Sequence, residues 1–366
     1  MKPVLAVLCV ALLIFTFACK EEVKIYRIGA VIPVSGAFDA YGRNVKNGMM
    51  LALDEVNHLG IKGKKLDILI EDDGSDEKRA VQKANQLIGN GIRIIIGGIT
   101  SNSALAMAPV CEAKKVVLLS PTATSPKLTG ISPYFFRNFP SDTLEGRVMA
   151  EYAIRRMKLR TAAILYIDKE YGQGITQVFK DRFQQLGGTI IYEKAYPEGT
   201  TDFKAIVGEI KTAGPDGVYL PGYYTGIAAI LKEIKEQQLS VKLLSVQGMA
   251  TPVFVEIAED AAEGVVYPQP PYNPNANDPA IRKFVTAYKS KYPTEPDVDA
   301  AFAYDAVKVI AKGIEGCTKY PEDLRSRIAD TNYRGITGEI TFNEGGDVDI
   351  TPLMYQVKEG KFVPIQ

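Results

Sequence analysis

Residues 92–119 read IRIIIGGITSNSALAMAPVCEAKKVVLL. The run at 92–96 is almost wholly apolar, the mark of a parallel strand covered on both faces. Two glycines and a hydroxyl-rich turn follow, then a helical pattern near 103–114, then a second apolar strand at 116–119. Strand, helix, strand is the repeating unit of a doubly wound α/β sheet.

The same unit extends upstream. Residues 26–32 (YRIGAVI) read as a strand and 33–42 (PVSGAFDAYG) as a loop. Val45, Met49, Ala52 and Val56 then recur at helical spacing. A strand is predicted at 66–70. Ser75 is a candidate cap for a helix whose apolar face is Ala80, Ala84, Leu87 and Ile88.

Downstream the pattern restarts. Asp142 is a candidate cap for a helix running to about Met157, and strands are predicted at 162–167, 189–192, 217–220 and 243–246. Helices are predicted between them at 175–185, 202–212 and 227–238. After a Pro-rich stretch (Pro268, Pro270, Pro271, Pro274) come two long helical patterns, 279–292 and about 298–315. These have no strands of their own and must pack on an existing lobe. The expectation is an α/β chain of two doubly wound, Rossmann-like lobes with a ligand cleft between them and three chain crossings. Lobe 1 is placed at 25–141 and 271–351, and lobe 2 at 142–270 and 352–366.

Ligands of such sheets bind beyond the carboxyl ends of the strands. Those ends carry Ile99-Thr100-Ser101-Asn102-Ser103 and Ser120-Pro121-Thr122-Ala123-Thr124-Ser125 in the first lobe. Hydroxyls and free N–H groups at a helix start suit an anion such as a carboxylate, although each Ser or Thr alone is more often a plain cap. In the second lobe the ends carry Asp168 to Gly172, Pro221-Gly222-Tyr223-Tyr224 and Gln247-Gly248, and Tyr41 stands in the first loop of lobe 1.

Composition narrows the function. Lys plus Arg and Asp plus Glu both total 43, so no basic footprint for nucleic acid exists. The one histidine, His58, sits where a helix ends and reads as a complement to its last carbonyls. One His and no Cys-x-x-Cys pair give no zinc site. There is no GxSxG, Walker A, HExxH or GxGxxG fingerprint, so no cofactor and no enzyme are expected. An exported hydrolase using carboxylates alone is the enzymatic alternative.

Lys2 precedes the apolar run VLAVLCVALLIFTFA at 4–18, too short to span a bilayer and right for a signal-peptide core. Ala18-Cys19 followed by Lys20-Glu21-Glu22 resembles a bacterial lipobox, with Thr16 and Phe17 departing from its usual residues. The expectation is a signal peptide at 1–18 and lipid on Cys19; the alternative is ordinary cleavage and a soluble product. Multiple acyl chains, at about 0.8 kcal/mol per buried CH₂, would anchor the chain. Cys111 and Cys317 remain, and two separate buried thiols are expected in preference to a disulfide.

As a set, residues 28–57 (IGAVIPVSGAFDAYGRNVKNGMMLALDEVN), 94–110, 118–129 (LLSPTATSPKLT), 163–174, 260–270 and 301–315 resemble the type I periplasmic binding proteins of branched-chain amino acid ABC importers. The likeness runs from Ile28 to the end. It implies a two-lobed monomer outside the cytoplasmic membrane that captures a small molecule for a membrane permease. It implies that Ser101 and the loop of Thr122, Ala123 and Thr124 hold a ligand carboxylate, with Tyr41, Tyr171 and Tyr223 around it. The family's ammonium partner, a Glu twenty-four residues after the last of these tyrosines, falls on Gln247. Gln offers an acceptor without charge, so the amino half of the site is left open. The ligand is an amino acid, or else an amide or an amine-free carboxylate. A sensor docking on a membrane receptor would look the same in sequence.

Overall fold

The computed structural model describes residues 25–365. The expected signal and Cys19 lie outside them. The first sheet has the order β2-β1-β3-β4-β5, from β1 (Ile25–Ile32), β2 (Lys65–Asp72), β3 (Ile94–Gly97), β4 (Val117–Ser120) and β5 (Phe135–Arg137). All of its pairings are parallel. Helices α1 (Asp39–Leu59), α2 (Glu77–Gly89) and α3 (Ser101–Ala113) make the crossovers. The wholly buried strand IIIG of β3 is the two-sided apolar run read from the sequence.

The chain then enters a seven-stranded sheet of order β14-β13-β10-β9-β8-β6-β7. Its elements begin with α4 (Asp142–Arg155), β6 (Thr161–Ile167), α5 (Glu170–Gln185), β7 (Thr189–Tyr196) and α6 (Lys204–Ala213). They continue with β8 (Gly217–Leu220), α7 (Tyr224–Glu236), β9 (Lys242–Ser245), α8 (Pro252–Ala258) and β10 (Val266–Gln269). Next α9 (Pro279–Lys291) and α10 (Val298–Gly316) pack on α1 beside the first sheet. After α11 (Leu324–Ala329) and the hairpin β11 (Asn332–Gly335) and β12 (Gly338–Thr341), the chain returns to the second sheet. There β13 (Leu353–Lys358) pairs antiparallel with β10, and β14 (Lys361–Pro364) with β13.

Some local expectations change. Asp76, not Ser75, caps α2 by accepting from the Arg79 N–H at 2.7 Å; Ser75 has φ 65°, and its Oγ accepts from Phe38 N–H at 3.0 Å. Ser141 caps α4 by accepting from Thr143 N–H at 3.3 Å, which leaves Asp142 as a buried first-turn residue. Helix α5 begins at Glu170, a full turn earlier than its apolar spacing indicates. Cys111 and Cys317 are both free and buried, and His58 lies in the last turn of α1.

Gly48 fixes where α10 lies. A Cβ there would stand 2.0 Å from the Ala300 carbonyl oxygen, so only glycine allows this approach of α1 to the start of α10. Asp297, the cap of α10, accepts from Ala300 N–H at 2.9 Å and from the Asn44 amide of α1. The first turn of α10 is thereby pinned against the mouth of the first sheet.

Candidate ligand cleft

In each sheet the order of the parallel strands reverses at one place, where crossovers leave in opposite directions and open a crevice. In the first sheet that place lies between β1 and β3; in the second it lies between β6 and β8. Tyr41 follows β1 and Ser101 follows β3. Tyr171 follows β6 and Tyr223 follows β8. The two crevices face one another.

One cavity between them is lined by Tyr41, Ser101, Thr122, Thr124, Tyr171, Tyr223 and Gln247, joined by Ile99, Thr100, Gly248 and Asp299. It has about 380 Å³ of space, part of it open to solvent. The first seven are residues singled out in the sequence. Ala123 does not line it: its N–H donates to Ser120 Oγ at 3.0 Å, and its carbonyl faces Arg137. Tyr41 and Tyr171 sit in the first turns of α1 and α5, not in free loops. Asp299 is the lining residue that sequence reasoning missed. An acid in the first turn of a helix reads as a partner of the helix dipole, and no spacing separates it from that role.

The Ser and Thr groups divide by the direction of their bonds. Ser101 Oγ accepts from the N–H groups of Thr124 at 3.3 Å and Ser125 at 3.1 Å. Its own proton is left to donate into the cavity. Thr122 donates to the Ile99 carbonyl at 2.7 Å, so toward the cavity its oxygen is an acceptor. Thr124 Oγ1 bonds to the Asp142 carboxyl at 2.9 Å. Burial pushes Asp142 up to about 7. Thr124 is the donor in that bond; protonation of Asp142 reverses it and frees the hydroxyl to donate inward.

Arg137 holds this loop from behind. It is fully buried. It meets Asp347 through Nε at 2.6 Å and Nη2 at 3.0 Å, a bidentate pair. It also donates to the Ser125 carbonyl at 2.9 Å and to Thr129 Oγ1 at 2.9 Å. All five N–H donors of this guanidinium are engaged away from the cavity.

The opposite wall is aromatic. Tyr171 stacks on Tyr223 with centroids 5.3 Å apart, and Phe38 packs on Tyr223 at 4.4 Å. The Tyr41 hydroxyl donates across the cleft to the Gly248 carbonyl, and Tyr224 to the Ala37 carbonyl at 3.1 Å. A Cβ on Gly248 would lie 2.8 Å from the Tyr171 hydroxyl and 2.9 Å from the Gly222 carbonyl, which explains glycine there. Gln247 donates its backbone N–H to Glu145 at 2.8 Å and its side-chain amide to Asp299 at 3.4 Å. Burial raises both carboxyls well above the usual range, with Asp142 adding to Glu145 and Asp297 adding to Asp299.

A two-sheet frame with a cleft of this kind is matched closely among known proteins. The sequence profile of the periplasmic binding proteins matches residues 25–361. A leucine-, isoleucine-, valine-, threonine- and alanine-binding protein of Pseudomonas aeruginosa is 29% identical over 90% of this chain and 87% of its own. The Leu/Ile/Val-binding protein of Escherichia coli is 27% identical over 93% and 92%. Among solved structures, the leucine binding protein LivK of Thermotoga maritima superposes with a TM-score of 0.88 at 29% identity, covering 93% of this chain and 97% of its own. The branched-chain amino acid transporter substrate binding protein LivJ of Streptococcus pneumoniae, in complex with isoleucine, gives 0.87 at 26%, covering 93% and 99%. The two-lobed α/β architecture is therefore that of the type I binding proteins. The chain belongs to the periplasmic binding protein family, and it is a binding protein, not an enzyme.

Proposed function

We propose that the chain captures an amino acid, branched-chain or related, and delivers it to the permease of an ABC importer. The lobes are 25–141 with 271–351, and 142–270 with 352–366. Lipid on Cys19 holds the protein, as a monomer, at the membrane surface outside the cytoplasm. The observation that carries this reading is the convergence of Ser101, Thr122 and Thr124 from one sheet with Tyr171, Tyr223 and Gln247 from the other on a single cavity. Donors for a carboxylate stand on one wall and apolar rings on the other. That is the division a small amino-acid-like carboxylate needs. The names of the relatives, which bind leucine, isoleucine and valine, support the same ligand class.

A thermal-shift screen of the twenty L-amino acids and their deaminated acids on purified protein tests the capture. A rise in Tm with one or a few small apolar amino acids is expected, since a ligand at 100 times its Kd stabilises by about 2.7 kcal/mol. No response to any compound would overturn it. For the anchor, Cys19→Ala is expected to move the protein from the membrane fraction to the soluble one; a wild type that is already soluble and takes up no lipid label would end that part of the reading.

A further inference from the structure

We propose that Asp299 binds the ligand's ammonium group, so that the cleft takes a zwitterion and discriminates against the same acid without its amine. This rests on the reading of the cleft as a capture site for a small carboxylate, and it names the group that chooses among such carboxylates.

Asp299 is 3% exposed and lines the cavity. Its one side-chain hydrogen bond is the long contact from the Gln247 amide at 3.4 Å. Among the described residues no Lys, Arg or His pairs with it. A buried carboxylate with so little compensation is costly, and such groups are retained where a partner arrives. Neighbouring Asp297 does not share this condition. It has its cap bond to Ala300 and the Asn44 amide.

Charge around the cavity points the same way. Asp142, Glu145 and Asp299 are all buried there, while Arg137, the one fully buried cation among the described residues, is spent on Asp347. An amine-free anion would find no free cation among the described residues to meet it there. A zwitterion brings its own. The donors Ser101 and Thr124 face the carboxylate. Asp299, the carbonyl oxygen of the Gln247 side chain and the acceptor oxygen of Thr122 belong to residues that line the same cavity, and acceptors are what an ammonium's three protons require. Gln247 therefore orients Asp299 through its amide and still has an acceptor to offer. The negative charge enters the cleft from α10 of the first-sheet layer, not from the strand-end loop of the second sheet.

The test uses calorimetry with the amino acid that best stabilises the wild type and with its deaminated acid as probes. Asp299→Asn is expected to weaken the amino acid by about 10- to 150-fold, the loss of one charge-assisted bond, and to leave the deaminated acid no weaker. Gln247→Glu added to Asp299→Asn is expected to recover most of the affinity, since it returns the charge from the other side. Without ligand, Asp299→Asn is expected to raise the Tm, because it removes a buried acid held by a single long hydrogen bond; a merely structural aspartate would lower it. Amino acid affinity within twofold of wild type in Asp299→Asn, or wild-type binding of the deaminated acid as tight as the amino acid, overturns the assignment while leaving capture of a carboxylate intact. Binding of neither probe class by the wild type overturns the capture reading and this assignment together.

Discussion

The Gln247 side-chain amide donates to the Asp299 carboxylate across 3.4 Å, joining the turn after β9 to the first turn of α10. This contact reverses what the sequence implies for Gln247→Glu. With Gln247 alone in view, a glutamate restores a missing charge and tightens an amino acid. With Asp299 opposite, it puts two carboxylates in contact, and one must take a proton. The single variant is expected to weaken amino acid binding by about tenfold, ~1.4 kcal/mol. Calorimetry at pH 7.5 reads it, and tighter binding would contradict the contact.

Ser101→Ala and Thr124→Ala are each expected to weaken the ligand by about 1.5–3 kcal/mol. Ser101→Ala should also lower stability by about 1–3 kcal/mol, because the Thr124 and Ser125 N–H groups lose their acceptor and stay buried. Paired calorimetry and urea titration separate the two effects. An unchanged stability in Ser101→Ala would contradict its role as acceptor for the two N–H groups.

Arg137 and Asp347 carry the loop on which Thr122 and Thr124 ride. Removing one partner leaves an uncompensated buried charge, so Arg137→Met is expected to cost about 3–5 kcal/mol of stability. Asp347→Asn should cost less, since the amide keeps one acceptor for the guanidinium. Chemical denaturation midpoints order the two, and a neutral Arg137→Met would show that the pair does not brace the loop.

Much of this architecture was legible before the structure. The buried runs of β3 and β4 and the helical spacing of α1 placed the first sheet, and the apolar runs of β6, β8 and β9 placed the second, each with the ends of its strands. Short elements such as α8, α11 and β11 to β14 were not read from the sequence, and three further features escaped it for physical reasons. Strand β5 spans only Phe135–Arg137, too short for a period to show. In β10, Pro268 breaks the strand pattern, yet it fits because the strand keeps its pairing with β13 through Tyr267 and Tyr355. Asp299 looked like any first-turn acid; only the approach of α1 and α10 at Gly48 turns it into the cleft. Among the site residues, Ser101, Thr122, Thr124 and the three tyrosines stood out because they follow strands, and Ala123 was carried along by its loop although its contacts lead away from the cavity.

Stability should depend on pH through the buried acids. Burial holds Asp142 up to about 7 and raises Glu145, with Asp142 adding to it. A carboxyl whose folded pKa exceeds its unfolded value binds more protons when folded, so stability falls as pH rises from about 4 to about 7. The lowered carboxyls Asp72 and Asp216 lose their contribution only below that window. Urea midpoints are expected to be higher at pH 5 than at pH 8, and Asp142→Asn should flatten the difference. A midpoint that rises with pH in the wild type would contradict the neutral state of these acids.

The most direct measurement is a crystal structure of the protein grown with the amino acid that stabilises it most. The ligand carboxylate is predicted to lie at about 2.7–3.2 Å from Ser101 Oγ and Thr124 Oγ1. Its ammonium is predicted to lie at a like distance from an Asp299 carboxylate oxygen, and its side chain against Tyr171 and Tyr223. A ligand bound outside the cleft, or bound with its amine turned away from Asp299, would contradict the account.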